Sequence, residues 1–192
     1  VKSTNKDQQT ISKFFDTSSK IDVVVDEIDD IQGKITLRKI VRERKIPLIS
    51  AADVGDNVLL EIERYDISPQ PKMFLGRIRD IESINVLELS DFERKKLIVR
   101  LVGFEKNSEK MLDSLLSIGK SLATWPQLGA TATIAGGVVA TTIKKIVLGE
   151  KVLSGRYYIS LDDILVQDFN ALERTLKREE KIKQLKKKLK MQ

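Results

Sequence analysis

Lys-Lys-Leu-Ile-Val-Arg-Leu-Val-Gly-Phe-Glu (95–105) and Ser-Gly-Arg-Tyr-Tyr-Ile-Ser-Leu-Asp-Asp-Ile-Leu (154–165) are the two runs on which the reading of the fold turns. In the first, Leu97, Val99 and Leu101 alternate on one face while Ile98 and Val102 make the other face apolar, the pattern of a central strand. The second reads as a strand that runs into a helix start. About fifty residues with helical spacing separate them, too many for a structureless loop in a compact domain. The pair predicts a mainly β protein with helical additions. Its core is an antiparallel β-sandwich, with a helical hairpin (108–149) inserted before the last strand and a long C-terminal helix.

The upstream sequence supplies the remaining strands of that sandwich. Ile21-Asp22-Val23-Val24-Val25 is rich in β-branched residues, and 34–41 alternates in part after Gly33. Val58, Leu60 and Ile62 recur at period two with Glu61 and Glu63 pointing the other way, a half-buried strand. Ser68-Pro69-Gln70-Pro71 makes a turn, and Met73–Ile81 and Ile84–Leu89 give two more short strands. Three segments result: an arm (1–20), a sandwich domain including the hairpin (21–165), and a charged helix with a basic tail (166–192).

Within the insert, Ser108 is placed as an N-cap. Met111, Leu112, Leu115, Leu116, Gly119 and Leu122 trace one helix face. Trp125-Pro126 breaks that helix, and a second runs over 130–148 with Gly149 as its stop. Ala130, Ala132, Ala135, Gly136, Gly137 and Ala140 make this second helix rich in small side chains, and no charge falls between Lys120 and Lys144. Pro126 and the threonines argue against a transmembrane span. Close packing on the sandwich or on a second subunit is the expectation. Beyond it, Ser160 with Asp163 forms a capping pair. Leu165, Phe169, Leu172 and Leu176 then follow 4-3-4 spacing, a seam for docking or for pairing with another helix.

The composition narrows the chemistry. The chain has 192 residues, a net charge of +6, no cysteine and no histidine. Disulfides, thiolate metal sites, a cysteine nucleophile and a histidine base are excluded. Lys181, Lys183, Lys186, Lys187, Lys188 and Lys190 all follow the last acidic residue, Glu180, so the positive excess sits in the tail. Val1 has no signal-peptide character, and arises by methionine removal or by precursor cleavage.

Two stretches carry resemblances. Gln8, Ile11, Phe14 and Phe15 match Q-x-x-[ILM]-x-x-[FY]-[FY], which resembles the PIP box with which replication and repair proteins bind the sliding clamp. The resemblance implies a polar contact from Gln8 and apolar anchors from the other three. The alternative is an arm that staples its two aromatics onto its own domain or onto a neighbouring subunit. The order of features from 34 to 165 is similar to the C-two (calcium/phospholipid-binding) domain family. Asp53 and Asp56 match that family's first acidic loop, but Gly103-Phe104-Glu105-Lys106-Asn107 lacks the later carboxylates. A calcium cage is therefore not expected. Phe104 and Trp125 are expected at the packing surface that replaces the ion site.

No catalytic signature is present. Gly119-Lys120-Ser121 resembles the end of a phosphate-binding loop, but Ser114 stands where its first glycine would be. The expectation is a non-enzymatic structural or adaptor subunit of a larger assembly, of the virion, phage-tail or injection-machine type, without cofactor, metal or small-molecule substrate. Its protein partners, in a homo- or hetero-oligomer, would dock on Gln8, Ile11, Phe14, Phe15, Phe104, Trp125, Gly136, Gly137, Phe169, Leu172 and Leu176. A clamp-tethered DNA factor, with Lys183, Lys186, Lys187 and Lys190 on phosphates, is the alternative. Calcium-independent membrane docking is a further one. The compartment stays open.

Overall fold

A computed structural model describes residues 5–16 and 20–191, and the side chains from Thr10 onward. Val1 lies outside them. The described residues form seven α-helices and one four-stranded sheet, in the order α1 (Asn5–Phe15), β1 (Val24–Asp26), α2 (Ile31–Glu43), β2 (Leu48–Val54), β3 (Asn57–Glu63), α3 (Asp91–Val102), α4 (Glu109–Ser117), α5 (Gly129–Val147), β4 (Gly155–Ser160), α6 (Leu161–Leu165) and α7 (Leu172–Lys188). The sheet order is β1-β2-β3-β4. β1 and β2 run parallel, with Val24 opposite Leu48, and α2 makes the crossover between them. β2 and β3 are joined by the two residues Gly55 and Asp56, a link short enough only for antiparallel neighbours. The expected antiparallel β-sandwich of C-two type is therefore not the fold. A sandwich needs two packed antiparallel sheets, and the described residues hold a single mixed one.

The largest corrections fall on two runs read as strands. Residues 34–41 lie inside α2, whose buried Ile31, Ile35 and Arg38 recur at helical spacing. The Asp30 carboxylate caps it by accepting from the Gly33 N–H at 2.7 Å. Residues 95–102 lie in α3, which buries Leu97 and Leu101, four apart. Ser90 and Glu93 build a reciprocal capping box at its start. Ser90 N–H donates to the Glu93 carboxylate at 2.8 Å, and Glu93 N–H donates to Ser90 Oγ at 3.3 Å. Both runs happen to alternate apolar and polar residues over a few positions, and the caps decide against strands. Between β3 and α3, the expected strands at 73–81 and 84–89 are replaced by single 3₁₀ turns at Met73–Gly76, Ile81–Ser83 and Val86–Glu88.

β3 departs from expectation in another way. All seven of its residues are buried, Glu61 and Glu63 included, so it is not half-exposed. The single long C-terminal helix is also absent: α6 ends at Leu165 and α7 begins at Leu172. Elsewhere the local signals hold. Ser108 Oγ accepts from the Met111 N–H and opens α4. Gly149, at φ +76°, closes α5, with Glu150 N–H reaching back to the Lys145 carbonyl at 2.9 Å.

The chain divides into two compact units. The first comprises Val1–Ala51, Glu61–Leu101 and Val139–Arg156. It is centred on α2, which contributes Ile31 and Ile35 to one apolar cluster with Phe74, Ile78, Ile81, Val86, Leu97 and Leu101. The same helix gives Leu37 and Val41 to a second cluster with Phe15, Val24, Leu48 and Tyr65. The second unit comprises Ala52–Leu60, Val102–Val138 and Tyr157–Gln192. Its apolar centre is Val54, Leu59 and Met111, with Trp125 and Tyr158 packed against them. α4 takes α7 as its main neighbour, and Lys181 on α7 bonds Asp113 on α4 at 2.8 Å.

Candidate interaction surface

α5 has nineteen residues, and an eighteen-residue window of it has a mean hydropathy of 1.2, so by length and composition it is apolar enough to cross a membrane. Only 22% of that window is buried. The inward residues are Thr131, Ala135, Val139 and Thr142, a stripe at 4-4-3 spacing. Thr131 Oγ1 donates to the Gly55 carbonyl at 2.9 Å. The opposite half of the circumference is exposed and uncharged as far as Lys144. It carries Ala132, Gly136 and Ala140 as one row at four-residue spacing, with Gly137 beside it. A Cβ built on Gly136 or Gly137 meets nothing within 4 Å. Neither glycine is required by the packing of this chain, yet each costs the helix about 0.5–1 kcal/mol relative to alanine.

A second exposed apolar set lies on α6 and α7. Ile164, Leu165, Leu172 and Leu176 are all more than half exposed, with Leu172 at 74%. The predicted seam of Leu165, Phe169, Leu172 and Leu176 is thus not continuous. Phe169 sits between the two helices, half-buried, under the Arg178 guanidinium at 4.5 Å. Gly136, Gly137, Leu172 and Leu176, together with Phe14 on α1, are the predicted partner residues that face outward.

The other predicted anchors are used by the chain itself. Phe15 is buried and Ile11 packs on the same cluster, while Arg44 donates to the Phe15 carbonyl and lies over its ring. Phe14 is 62% exposed. The Gln8 side chain lies outside the described residues. Two of the three apolar anchors, Ile11 and Phe15, are thus seated in the first unit. Phe104 is buried and Trp125 half-buried within the second unit. The basic tail is partly committed too. Lys188 Nζ donates to the Leu116 and Ile118 carbonyls at the end of α4, at 2.9 and 3.0 Å. Lys183 and Lys187 are exposed, Lys186 is half-buried, and Lys190 follows the end of α7 at φ +49°.

Sequence reasoning missed a closed ionic cluster in the first unit. Arg38, 1% exposed, donates from Nη1 to Asp26 at 2.6 Å and from Nε to Glu63 at 2.7 Å. Glu63 also accepts from the Tyr65 hydroxyl and the Phe74 N–H, each at 2.6 Å. Phe74, at φ +49°, lays its ring 3.8 Å from the Arg38 guanidinium carbon. Once α2 is recognised as a helix, Arg38 appears on its buried stripe, which is the one signal available in sequence. The cluster has no open coordination position, and its role is to hold α2, β1 and β3 together.

Burial raises the Asp26 carboxyl, but the Arg38 and Lys34 cations beside it outweigh that and hold its pKa below the ordinary value. The sign follows from linkage. Unfolded Asp26 takes up a proton before folded Asp26 does, so the stabilisation is present above about pH 4 and is lost as pH falls through the depressed folded value. Each pH unit in that window removes at most about 1.4 kcal/mol through this group. Glu61 acts oppositely: burial, offset only in part by Arg156, raises its pKa, and protonation relieves a cost. Urea midpoints measured at pH 7, 4 and 3 are expected to fall less below pH 4 for Asp26→Asn than for the unaltered chain. Parallel decline in both would remove Asp26 from the account of acid lability.

No family model and no solved structure matches the chain. It is 27% identical over 157 residues to uncharacterized protein MT1398 of Mycobacterium tuberculosis (strain CDC 1551 / Oshkosh), an alignment covering 82% of this chain and 21% of that protein. The chain thus spans about a fifth of the length of the curated relative it matches.

Proposed function

We propose that this chain is a non-catalytic docking module that assembles with a second copy of itself through the exposed face of α5. The observation that carries this reading is the pair of mid-helix glycines, each with open space where a side chain would be. Among the described residues nothing fills the space at either position, whereas small residues at four-residue spacing let a second helix backbone approach closely. A two-fold contact must be self-complementary, and a row of Ala132, Gly136 and Ala140 meets that condition. An antiparallel crossing also keeps the two Lys144 ammoniums apart. The adaptor role does not depend on the sheet type.

The exposed side of α5 is about 28 Å long and about 10 Å wide, less than half of the area per partner in a standard stable interface. Association through α5 alone is therefore expected to be weak and concentration-dependent. Because the chain has no cysteine, Ala132→Cys, Gly136→Cys and Ala140→Cys each report an intermolecular disulfide without ambiguity. The Gly136→Ala, Gly137→Ala pair is expected to stabilise the monomer by about 1–2 kcal/mol. Gly136→Leu with Gly137→Leu should fold and remain monomeric in sedimentation velocity at concentrations where the unaltered chain associates. A chain that stays monomeric at high concentration and forms no disulfide in any of the three variants would sink the reading. Binding of the monomer to lipid vesicles would point to a membrane as the occupant instead.

A further inference from the structure

A cavity of about 710 Å³ opens in the first unit, among the last residues of α1, the end of α2, the entry to β1 and β2, and the end of α5. Its volume suits a small organic ligand. The apolar wall includes Phe15, Ile21, Val23, Ile46, Ile146 and Val147. Four cations also line it, and three of them are matched. Lys20 pairs with Asp22 at 3.4 Å, Arg44 with Asp16 at 2.7 Å, and Arg64 with Asp66 at 2.7 Å. Lys45 is the fourth, and its ammonium has no partner among the described residues. One positive charge is left over.

Two further facts concern Lys45. Its backbone is left-handed, φ +54°, at the position after a helix where glycine is the usual occupant. A lysine is held there against its conformational preference. The second fact is that the helix ends around the cavity do not need its charge. Lys45 N–H bonds the Arg42 carbonyl and Ile46 N–H the Val41 carbonyl, while Arg44 takes the Phe15 carbonyl. The last turn of α5 is closed by the N–H groups of Gly149 and Glu150. Those carbonyls are met without the ammonium.

We propose that this cavity binds a singly charged anion on an apolar body, a monocarboxylate in its simplest form, with the Lys45 ammonium taking the anionic group and the aliphatic wall taking the body. Lys45, the one lining cation without an ion pair among the described residues, favours an anion over a cation, and the wall distinguishes the cavity from a site for a bare inorganic ion.

The test is calorimetric titration of the full chain with decanoate below its micellar range, beside decanol and decyltrimethylammonium as neutral and cationic counterparts. Lys45→Gly removes the ammonium while giving the left-handed cap its preferred residue, so its melting temperature should not fall. Lys45→Met keeps the stem and the backbone conformation and loses only the charge. Saturable one-to-one binding of decanoate is expected, weakened about tenfold or more in both variants, with decanol at least about tenfold weaker on the unaltered chain. No saturable binding, equal binding of decanol, or unchanged binding in Lys45→Met would overturn the proposal. Because the cavity and the α5 row are probed by different variants, either reading can fail alone.

Discussion

Arg38→Met is expected to cost about 3–5 kcal/mol, read as a fall in urea midpoint with little change in slope. The arginine has no solvent to lose its charge to, and its two partners have none either: Asp26, Arg38 and Glu63 are each 1% exposed or less. Removing the cation strands two buried carboxylates, of which Asp26 keeps the Lys34 ammonium at 3.2 Å and Glu63 keeps only the Tyr65 hydroxyl and the Phe74 N–H. Against a domain stability of roughly 5–15 kcal/mol, that loss leaves the fold marginal. Arg38→Lys should recover only part of it, because one ammonium cannot serve two carboxylates from the separate Nε and Nη1 positions or stack on Phe74. Adding Glu63→Gln to Arg38→Met should return stability by neutralising one orphaned charge. A loss under about 1 kcal/mol for Arg38→Met would mean the cluster is not formed in solution.

Gly55→Val is expected to cost about 3 kcal/mol, for two reasons that can be measured apart. Gly55 has φ +65°, and a Cβ there lies 3.0 Å from the Met111 Cβ. The left-handed backbone costs a side chain about 1–2 kcal/mol, more for a β-branched one, and overpacking adds about 1–3. Met111 has little room to yield, since it is buried against Val54 and Leu59. In a Met111→Gly background the Cβ contact is removed and only the backbone cost remains, so Gly55→Ala should cost about 1 kcal/mol there and distinctly more in the unaltered chain. Strict additivity of the two changes would show that the turn and α4 do not meet as described.

Local chemistry in the sequence was legible wherever one residue decides the backbone. Ser108, Gly149 and Ser160 each mark their boundaries, and β4 lies where the alternation of 155–160 puts it, but α4 ends at Ser117, well before the Trp125-Pro126 break, and leaves Gly119 and Leu122 outside the helix. The failures share one cause: four or five alternating residues fit a strand and a helix equally well. Ile35 and Leu37, or Leu97, Val99 and Leu101, suggest period two, although Leu97 and Leu101 fit helical spacing as well, and Ile31, the helical partner of Ile35, lies outside 34–41. Asp30 before Gly33 and Ser90 before Glu93 were the residues able to arbitrate. The burial of Glu61 and Glu63 was not legible at all, because the arginines that admit them, at 156 and 38, are distant in sequence. For the surface, the small side chains of α5 could be read directly, but that Gly136 and Gly137 face open space could not. The cavity at Lys45 escaped notice because its walls come from four separate stretches of chain.

Each of the two compact units is stitched from three separated stretches of sequence. Neither can be excised as one continuous fragment, and neither can be complete while the chain is still short. The first unit waits for the stretch that ends at Arg156, and the second for α7. During synthesis, the first core therefore remains unfinished until Arg156 has emerged and the second until α7 has, with β3 and its two carboxylates made long before the arginine at 156 that pairs with Glu61. Sequence-distant closure of this kind slows folding relative to a chain of locally closing modules, and lengthens the interval in which half-built apolar faces are open to misassociation.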